Sequence, residues 1–317
     1  HLPTKALLDR CLREAGRLPK SPSGDTEPAP DPNEFWWLQL PAALCFTAAR
    51  HFNMRLLPQI RLTLPAMPDP VFPPFDILFE DEHFVAINKP PGILVHLTRL
   101  SEDTVSVAQQ LAAQLGQRIF PIHRLDRGTS GVLIVGKTAA AAGALAAHFR
   151  EKSVEKKSLA VLRGYIPETA TIDYALDDPE TGKEKQPAVS HYRRLGQVEL
   201  PFSVDPKFAT TRYALAEAEP ETGRRHQLRK HFAHIFHPVI GDRRHGDVKH
   251  NNYLRTAFCL QRLLLHAHRL RFEHPFTSLD VNIEAPVDQA FTDALLFLQL
   301  SQFLPPSAQR PAPAQPA

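Results

Sequence analysis

From Phe75 onward the apolar residues of this chain fall in short alternating runs that predict strands. The stretch DILFEDEHFVAINKP (Asp76 to Pro90) reads as two strands joined by an acidic turn at Glu80-Asp81-Glu82 and followed by a Pro-Pro-Gly turn. VSVAQQLAAQLG (Val105 to Gly116) has the 3.6-residue period of an amphipathic helix and ends on a glycine suited to a left-handed cap. A buried strand is expected over Val132 to Val135, then an alanine-rich helix from Ala139 to Phe149. Farther on, Leu228, Phe232 and Ile235 follow i, i+4, i+7 and form the apolar stripe of another helix, with Arg225 and Arg229 on a neighbouring face. Hairpins and helices alternate without a regular βαβ rhythm, so the fold class is α+β with a mixed sheet, not a doubly wound one.

The ends break this pattern. Residues 1 to 66 form an N-terminal extension: a helical start at Lys5 to Gly16, a Pro/Ser/Asp-rich linker expected to be disordered, and the apolar segment Phe35 to Phe46. The chain begins with His1, and Met67 stands just before the strand-rich body, so a start at Met67 would make everything upstream an artefact of gene calling. The body spans 67 to 303, and the low-complexity tail 304 to 317 is expected to be disordered.

With 317 residues, of which 43% are hydrophobic, there is ample length for a core. Lys plus Arg is 37 against 34 Asp plus Glu, so the net charge of +3 is small and the basicity is local. It gathers between Lys152 and Arg163, between Arg224 and Lys230, and at Arg243, Arg244 and Lys249, which suits a polyanionic partner. Three scattered cysteines support neither a disulfide framework nor a cysteine-type zinc site. No apolar run reaches the ~20 residues a membrane helix needs. The expected setting is cytoplasmic, with no membrane partner, and a monomer is expected.

The densest chemistry lies in His123-Arg124-Leu125-Asp126-Arg127-Gly128-Thr129-Ser130-Gly131. Two guanidiniums flank one carboxylate and favour its charged form, while the glycines allow a tight turn. Arg124 and Arg127 are candidates to hold phosphate, and Asp126 is a candidate nucleophile.

Two other patterns mislead. Gly131 to Thr138 matches the phosphate-loop expression G-x-x-x-x-G-K-T, which alone would suggest a nucleotide hydrolase. Its Val-Leu-Ile-Val interior is a β-branched run that wants to be extended and buried, whereas a phosphate cradle must curl its amides towards one point. The sixteen histidines, above all His226, His231, His234 and His237, invite a metal reading, but no carboxylate or cysteine completes a sphere at that spacing. Neither metal nor cofactor is expected.

HRLDRGTSGVLIVGKT resembles the signature of the RluA-type pseudouridine synthases. Ordered blocks before and after it carry the same likeness: VAINKPPGILVH (Val85 to His96), TGRRHQLRKHFAHIFHPVIGDRRHGD (Thr222 to Asp247) and LLLHAHRLRFEHP (Leu263 to Pro275). The wording of AVSHYRRL (Ala188 to Leu195) and TTRYAL (Thr210 to Leu215) is similar to a branch that acts on tRNA. The resemblance implies a large, mostly antiparallel central sheet with flanking helices and an RNA-binding cleft across it. It implies that uridine is isomerised to pseudouridine, with uridine 65 in the acceptor stem of tRNA as the expected target. Asp126 matches the catalytic aspartate and Arg229 the basic residue that pairs with it. Arg124 matches the arginine that enters the space left by the flipped base. Arg224, Arg225 and His226 are carried along as substrate-binding residues, and Lys89 and Pro90 as shapers of the cleft floor.

One position departs from the family's pattern. A tyrosine normally stands in K-x-Y-x-A on the strand after the alanine-rich helix, but this chain reads Lys156-Lys157-Ser158-Leu159-Ala160. Ser158 keeps a hydroxyl without a ring, and could act through an ordered water, or Tyr165, Tyr192 or Tyr213 could fill the gap. The sequence thus leaves open the same chemistry on ribosomal RNA, or an RNA-binding protein whose catalysis is impaired.

Overall fold

The computed structural model describes residues 73–97, 104–178 and 183–309. These lie in one of two units into which the chain divides, 69–317, and the N-terminal extension falls outside the described residues. The elements run in the order β1 (Ile77–Glu80), β2 (Phe84–Lys89), α1 (Val107–Leu115), β3 (Phe120–Pro121), β4 (Ser130–Gly136), α2 (Ala139–Arg150), β5 (Glu155–Arg163) and β6 (Thr169–Asp173). They continue with β7 (Leu176–Asp178), β8 (Lys183–Gln186), β9 (Val189–Leu200), β10 (Thr211–Pro220), α3 (Gln227–His234), α4 (Val248–Phe258), β11 (Leu265–Glu273), β12 (Asp280–Glu284) and α5 (Gln289–Phe297).

One ten-stranded sheet has the order β1-β2-β4-β11-β5-β10-β9-β6, with β12 added on β11 and β3 on β4, while β7 and β8 form a separate hairpin. Every pair in it is antiparallel except β4 with β11. The mixed, mostly antiparallel α+β sheet expected from the sequence is the one found.

Local signals explain the element ends. Ser106 caps α1 by accepting from the Gln109 amide while the Gln109 side chain accepts from the Ser106 amide, and Gly116 ends the helix at φ 64°. The apparent phosphate loop is β4 itself, buried along all seven residues because both faces are covered. Val132 and Ile134 point into the core beneath α2, and Leu133 and Val135 into the core beneath α1. Gly131 sits at φ 111°, where a Cβ would lie 2.1 Å from the Ala267 carbonyl oxygen, so the parallel β4–β11 contact demands glycine there.

The far part of the sheet has its own two cores. Ala160, Leu162, Ala214 and Ala216 face Leu228 and Phe232 of α3. Leu159, Val161, Tyr213 and Leu215 face α5. Residues 304–309, expected to belong to a disordered tail, are packed in the described structure. Leu304 and Ala308 are buried in the α5 core, and the Val287 amide donates to the Ala308 carbonyl at 2.9 Å. No described helix is long and apolar enough to cross a membrane. Cys259 is free and exposed.

Two histidines, His123 half-buried and His266 fully buried, tie the sheet centre together as neutral rings. The Ile134 amide donates to His123 Nε2 at 3.1 Å, and His266 stands between the Ser130 hydroxyl, 2.8 Å from Nδ1, and the Ala285 carbonyl, 3.0 Å from Nε2. Burial pushes both imidazoles down to about 3. Between that value and the ordinary 6.5 the unfolded chain binds protons that the native state refuses, so stability falls as pH drops from 6.5 towards 3. Urea midpoints should decline across that window, and His123→Gln, which keeps an acceptor but cannot titrate, should make the decline shallower.

Candidate active site

Asp126 lies on the loop between β3 and β4, and that loop is built on a buried cation. Lys89, the last residue of β2, has no exposed surface, and its Nζ donates to the carbonyls of Pro90 (2.9 Å), Arg127 (3.2 Å) and Thr129 (2.8 Å). Three acceptors match the three N–H groups of an ammonium and offset the cost of burying it. Burial still pushes the amine down to about 7, against the opposing pull of Asp126. Lys89 therefore holds the loop from below. The loop closes with the Thr129 amide on the Asp126 carbonyl and the Gly92 amide on the Arg127 carbonyl.

The second half of the site comes from α3. Its first residue, Gln227, is a buried staple: Nε2 donates to the Val189 carbonyl and the Ser190 hydroxyl, while Oε1 accepts from the Thr222 hydroxyl and the Arg224 amide. This fixes the glycine turn against β9 and aims the first turn of α3 at the β4 loop. Arg229 then reaches two carboxylates. Its Nε and Nη2 donate to Asp242 at 2.7 and 2.8 Å, and its Nη1 donates to Asp126 Oδ2 at 3.1 Å.

The Asp242 side chain is fully buried and also accepts from the Arg244 and His245 amides. Burial acts to raise its carboxyl, but the Arg229 hydrogen bonds prevail and hold it below the usual carboxylate value. Gly241, at φ 80°, makes this turn possible, since a Cβ there would lie 1.9 Å from the Arg262 carbonyl oxygen. Asp126 Oδ1 accepts no hydrogen bond among the described residues, which leaves one carboxylate oxygen for chemistry.

These groups open onto a cavity of about 360 Å³, within the size range of ligand pockets. It lies where two cores on one sheet face part, between Leu228 and Leu265 on one side and Val132 and Leu270 on the other. The β7–β8 hairpin supplies a wall through Leu176, Asp177 and Gln186, with Lys230 Nζ donating to the Asp177 carbonyl at 2.6 Å. Cations outnumber carboxylates around it: Arg124, Lys156, Lys157, Arg224, Arg225, Arg229 and Arg269 face only Asp126 and Asp177. Desolvation lowers the Lys156 amine below its usual value, with Glu219 opposing. Such a lining attracts a polyanion.

Of the residues singled out from the sequence, Asp126, Arg229, Arg124, Ser158, Arg224, Arg225 and His226 all line the cavity. Arg127 is not among the lining residues. Its Nε donates to the Gly92 carbonyl at 2.9 Å, so it pins the Asp126 loop to the Pro-Pro-Gly turn. Ser158 is buried on the floor, in register with Ala218 on β10 and Ala267 on β11. None of the five tyrosines lines the cavity. Tyr165 bonds to Glu199, Tyr192 packs on Phe232, and Tyr213 reaches His250 in the other core, so the suggestion that one of them replaces the missing ring is corrected.

The sequence reading missed Asp242, which no spacing links to Arg229, and assigned Lys89 only to the floor. It also passed over His245, whose Nε2 lies 2.9 Å from His226 Nδ1. A carboxylate in a Gly-Asp-Arg-Arg turn was the one available hint. No group of three or more His, Cys, Asp or Glu side chains able to hold a metal occurs among the described residues.

The geometry separates the two carboxylates energetically. Removing Arg229 strands a fully buried Asp242, a loss of about 3–5 kcal/mol, whereas removing the Asp126 carboxyl leaves the bidentate pair intact. Thermal melting of Arg229→Met should fall on the order of 10 °C. Asp126→Ala should melt close to the unaltered protein.

The family described as RNA pseudouridylate synthase matches residues 83–234. The chain is 46% identical over 226 residues to "tRNA pseudouridine synthase C" of Vibrio parahaemolyticus, covering 68% of this chain and 92% of that protein. It is 45% identical over 230 residues to the protein of the same name from Vibrio cholerae, covering 69% and 94%. The solved structure of "Human RNA Pseudouridylate Synthase Domain Containing 1" superimposes with a TM-score of 0.54 at 26% identity, over 68% of this chain and 84% of that one. With a cation-lined cleft and a carboxylate paired to a buried arginine already in place, these likenesses mean that the chain belongs to the RNA pseudouridylate synthases, isomerases that convert uridine in RNA to pseudouridine.

Proposed function

We propose that this enzyme acts on tRNA, isomerising a uridine of the acceptor-stem region, uridine 65, with Asp126 as the nucleophile. The observation that carries the role of Asp126 is its half-committed carboxylate: it lines the cavity with one oxygen held by Arg229 and the other accepting no hydrogen bond among the described residues. The tRNA substrate rests on the names of relatives that match over nearly their whole length.

The reaction detaches uracil from carbon 1 of the ribose, turns it, and rejoins it through carbon 5. A carboxylate that attacks must be oriented and must not be neutralised by a mobile counter-ion. Arg229, clamped by Asp242, meets both needs because its position is set before substrate arrives. A stacked uridine is out of reach, so the base must be extruded at a cost of a few kcal/mol. Arg124 is exposed at the cavity mouth, where its planar cation can occupy the vacated stack. Arg224 and Arg225, on the glycine turn, are placed for the phosphates that flank the flipped nucleotide. Ser158, with its flat floor of alanines, gives the base room to turn.

The test uses the full chain and unmodified tRNA carrying tritium on uracil carbon 5. Tritium release by the unaltered protein, mapped to position 65 and abolished in Asp126→Ala with tRNA affinity retained, is the expected outcome. Release only from ribosomal RNA would replace tRNA as the substrate. Release by Asp126→Ala would remove it as nucleophile.

A further inference from the structure

Rejoining uracil through carbon 5 leaves that carbon with a hydrogen it must lose, so the cavity needs a proton acceptor as well as a nucleophile. Few candidates line it. His123 lines the cavity, but its Nε2 lone pair is already taken by the Ile134 amide and its ring is stacked on Phe149. Asp177 is largely exposed and held by Lys230. Ser158 and Thr222 offer hydroxyls, which are too weakly basic, and none of the tyrosines is present.

One group remains. His226 Nε2 lies 4.0 Å from Asp126 Oδ2, so imidazole and carboxylate address the same point of the cavity. Its Nδ1 lies 2.9 Å from His245 Nε2, and His245 is itself fixed by its amide on Asp242 Oδ1. This reproduces the arrangement in which a base is oriented by a third group behind it. The backbone adds a second observation. His226 is the N-cap of α3 at φ 55° and ψ 27°, a left-handed conformation that costs a residue with a side chain more than Gly. It makes no side-chain cap bond, so the helix gains nothing from a histidine at this position. Strain without a structural return marks a residue kept for what its side chain does.

We propose that His226 is a further catalytic residue, the base that removes the carbon-5 proton once uracil has been rejoined to the ribose. With Nδ1–H donated to His245, Nε2 carries the free lone pair. The C5–H bond breaks and the proton passes to Nε2; the freed electron pair forms the C5–C6 double bond as the C6–N1 double bond opens and places its pair on N1. The imidazolium then releases a proton to solvent, while N1, freed from the sugar, ends the cycle protonated. No outside reagent is consumed.

Burial holds the His226 imidazole at about 4, with Asp126 opposing and Arg229, His245 and Arg225 reinforcing the shift, so the ring enters each cycle unprotonated. Burial likewise lowers His245. A weak base is sufficient here because the adduct regains its conjugated ring as it loses the proton. The nearby arginines make the imidazolium short-lived, which returns the site to its starting state.

The proposal rests on the assignment of Asp126 above, and the experiment separates the two. Single-turnover pseudouridine formation would be followed on tRNA transcripts made with ordinary uridine or with uridine deuterated at carbon 5. The proteins compared are the unaltered chain, His226→Asn and His226→Gly, both of which accept the left-handed backbone. Expected is a rate lower by about 100-fold or more in both variants, with unchanged tRNA affinity and a primary deuterium isotope effect absent from the unaltered enzyme. Added imidazole should restore His226→Gly in a saturable way. A slow variant with no isotope effect and no imidazole rescue would make His226 a binding or positioning residue and overturn the proposal, as would an unchanged rate. If the unaltered chain forms no pseudouridine, the tRNA reading fails and this one with it, whereas product made by the unaltered chain but not by Asp126→Ala upholds that reading whichever way His226 falls.

Discussion

The site depends on one guanidinium shared unequally between two carboxylates. Arg229 gives two hydrogen bonds to Asp242 and one to Asp126. The inequality matters. Asp242 is buried and satisfied by two backbone amides besides, so it fixes where the guanidinium stands. Asp126 receives a single side-chain bond, so its position is set while its other oxygen accepts nothing among the described residues. A symmetric pair would have made a stable but idle salt bridge.

The rest of the architecture brings these three residues together from distant parts of the chain. Lys89 supports the Asp126 loop by gathering three carbonyls under it. Gln227 supports α3 by gripping β9. Gly241 supports Asp242 by allowing a turn no other residue would fit. Each support is a buried polar group or a tight turn satisfied within the protein, which is why the cavity can be lined with cations and remain defined. The small side chains of Ser158, Ala218 and Ala267 then leave room above the sheet.

Much of this was legible in the amino-acid sequence. The β1–β2 hairpin, α1 with its glycine cap, β4 and α2 follow from periodicity and turn chemistry, because there local preference and tertiary demand agree. The phosphate-loop lookalike was resolved correctly by the same logic, since a β-branched run buried on both faces is a central strand. Asp126 and Arg229 were found through a motif. Asp242 was not, since its partnership with Arg229 is made across a loop and leaves no periodic trace. The anchoring of Arg127 was hidden for a related reason: a guanidinium one residue from Asp126 looks the same in sequence whether or not it bonds the Pro-Pro-Gly turn. The tail misled because its composition is that of a linker, yet Leu304 and Ala308 supply the last apolar pieces of the α5 core. A proline-rich segment can dock if its few apolar residues fall in register with a waiting surface.

The one parallel pairing among the described strands of the main sheet joins β4 to β11, matching Ser130 with His266 and Gly131 with Ala267. It also sits at the sheet's centre, where the two halves of the cleft meet. A chain emerging from the ribosome completes β1 to β4 long before β11 exists, so β3 covers Val135 and Gly136 while Ser130 and Gly131, at the end that carries the Asp126 loop, still await their partner. Closing that long-range pair carries the entropy cost of the whole intervening chain. Asp126 and Arg229 are likewise joined across more than a hundred residues, so the cavity has both its walls only when the chain between them is complete.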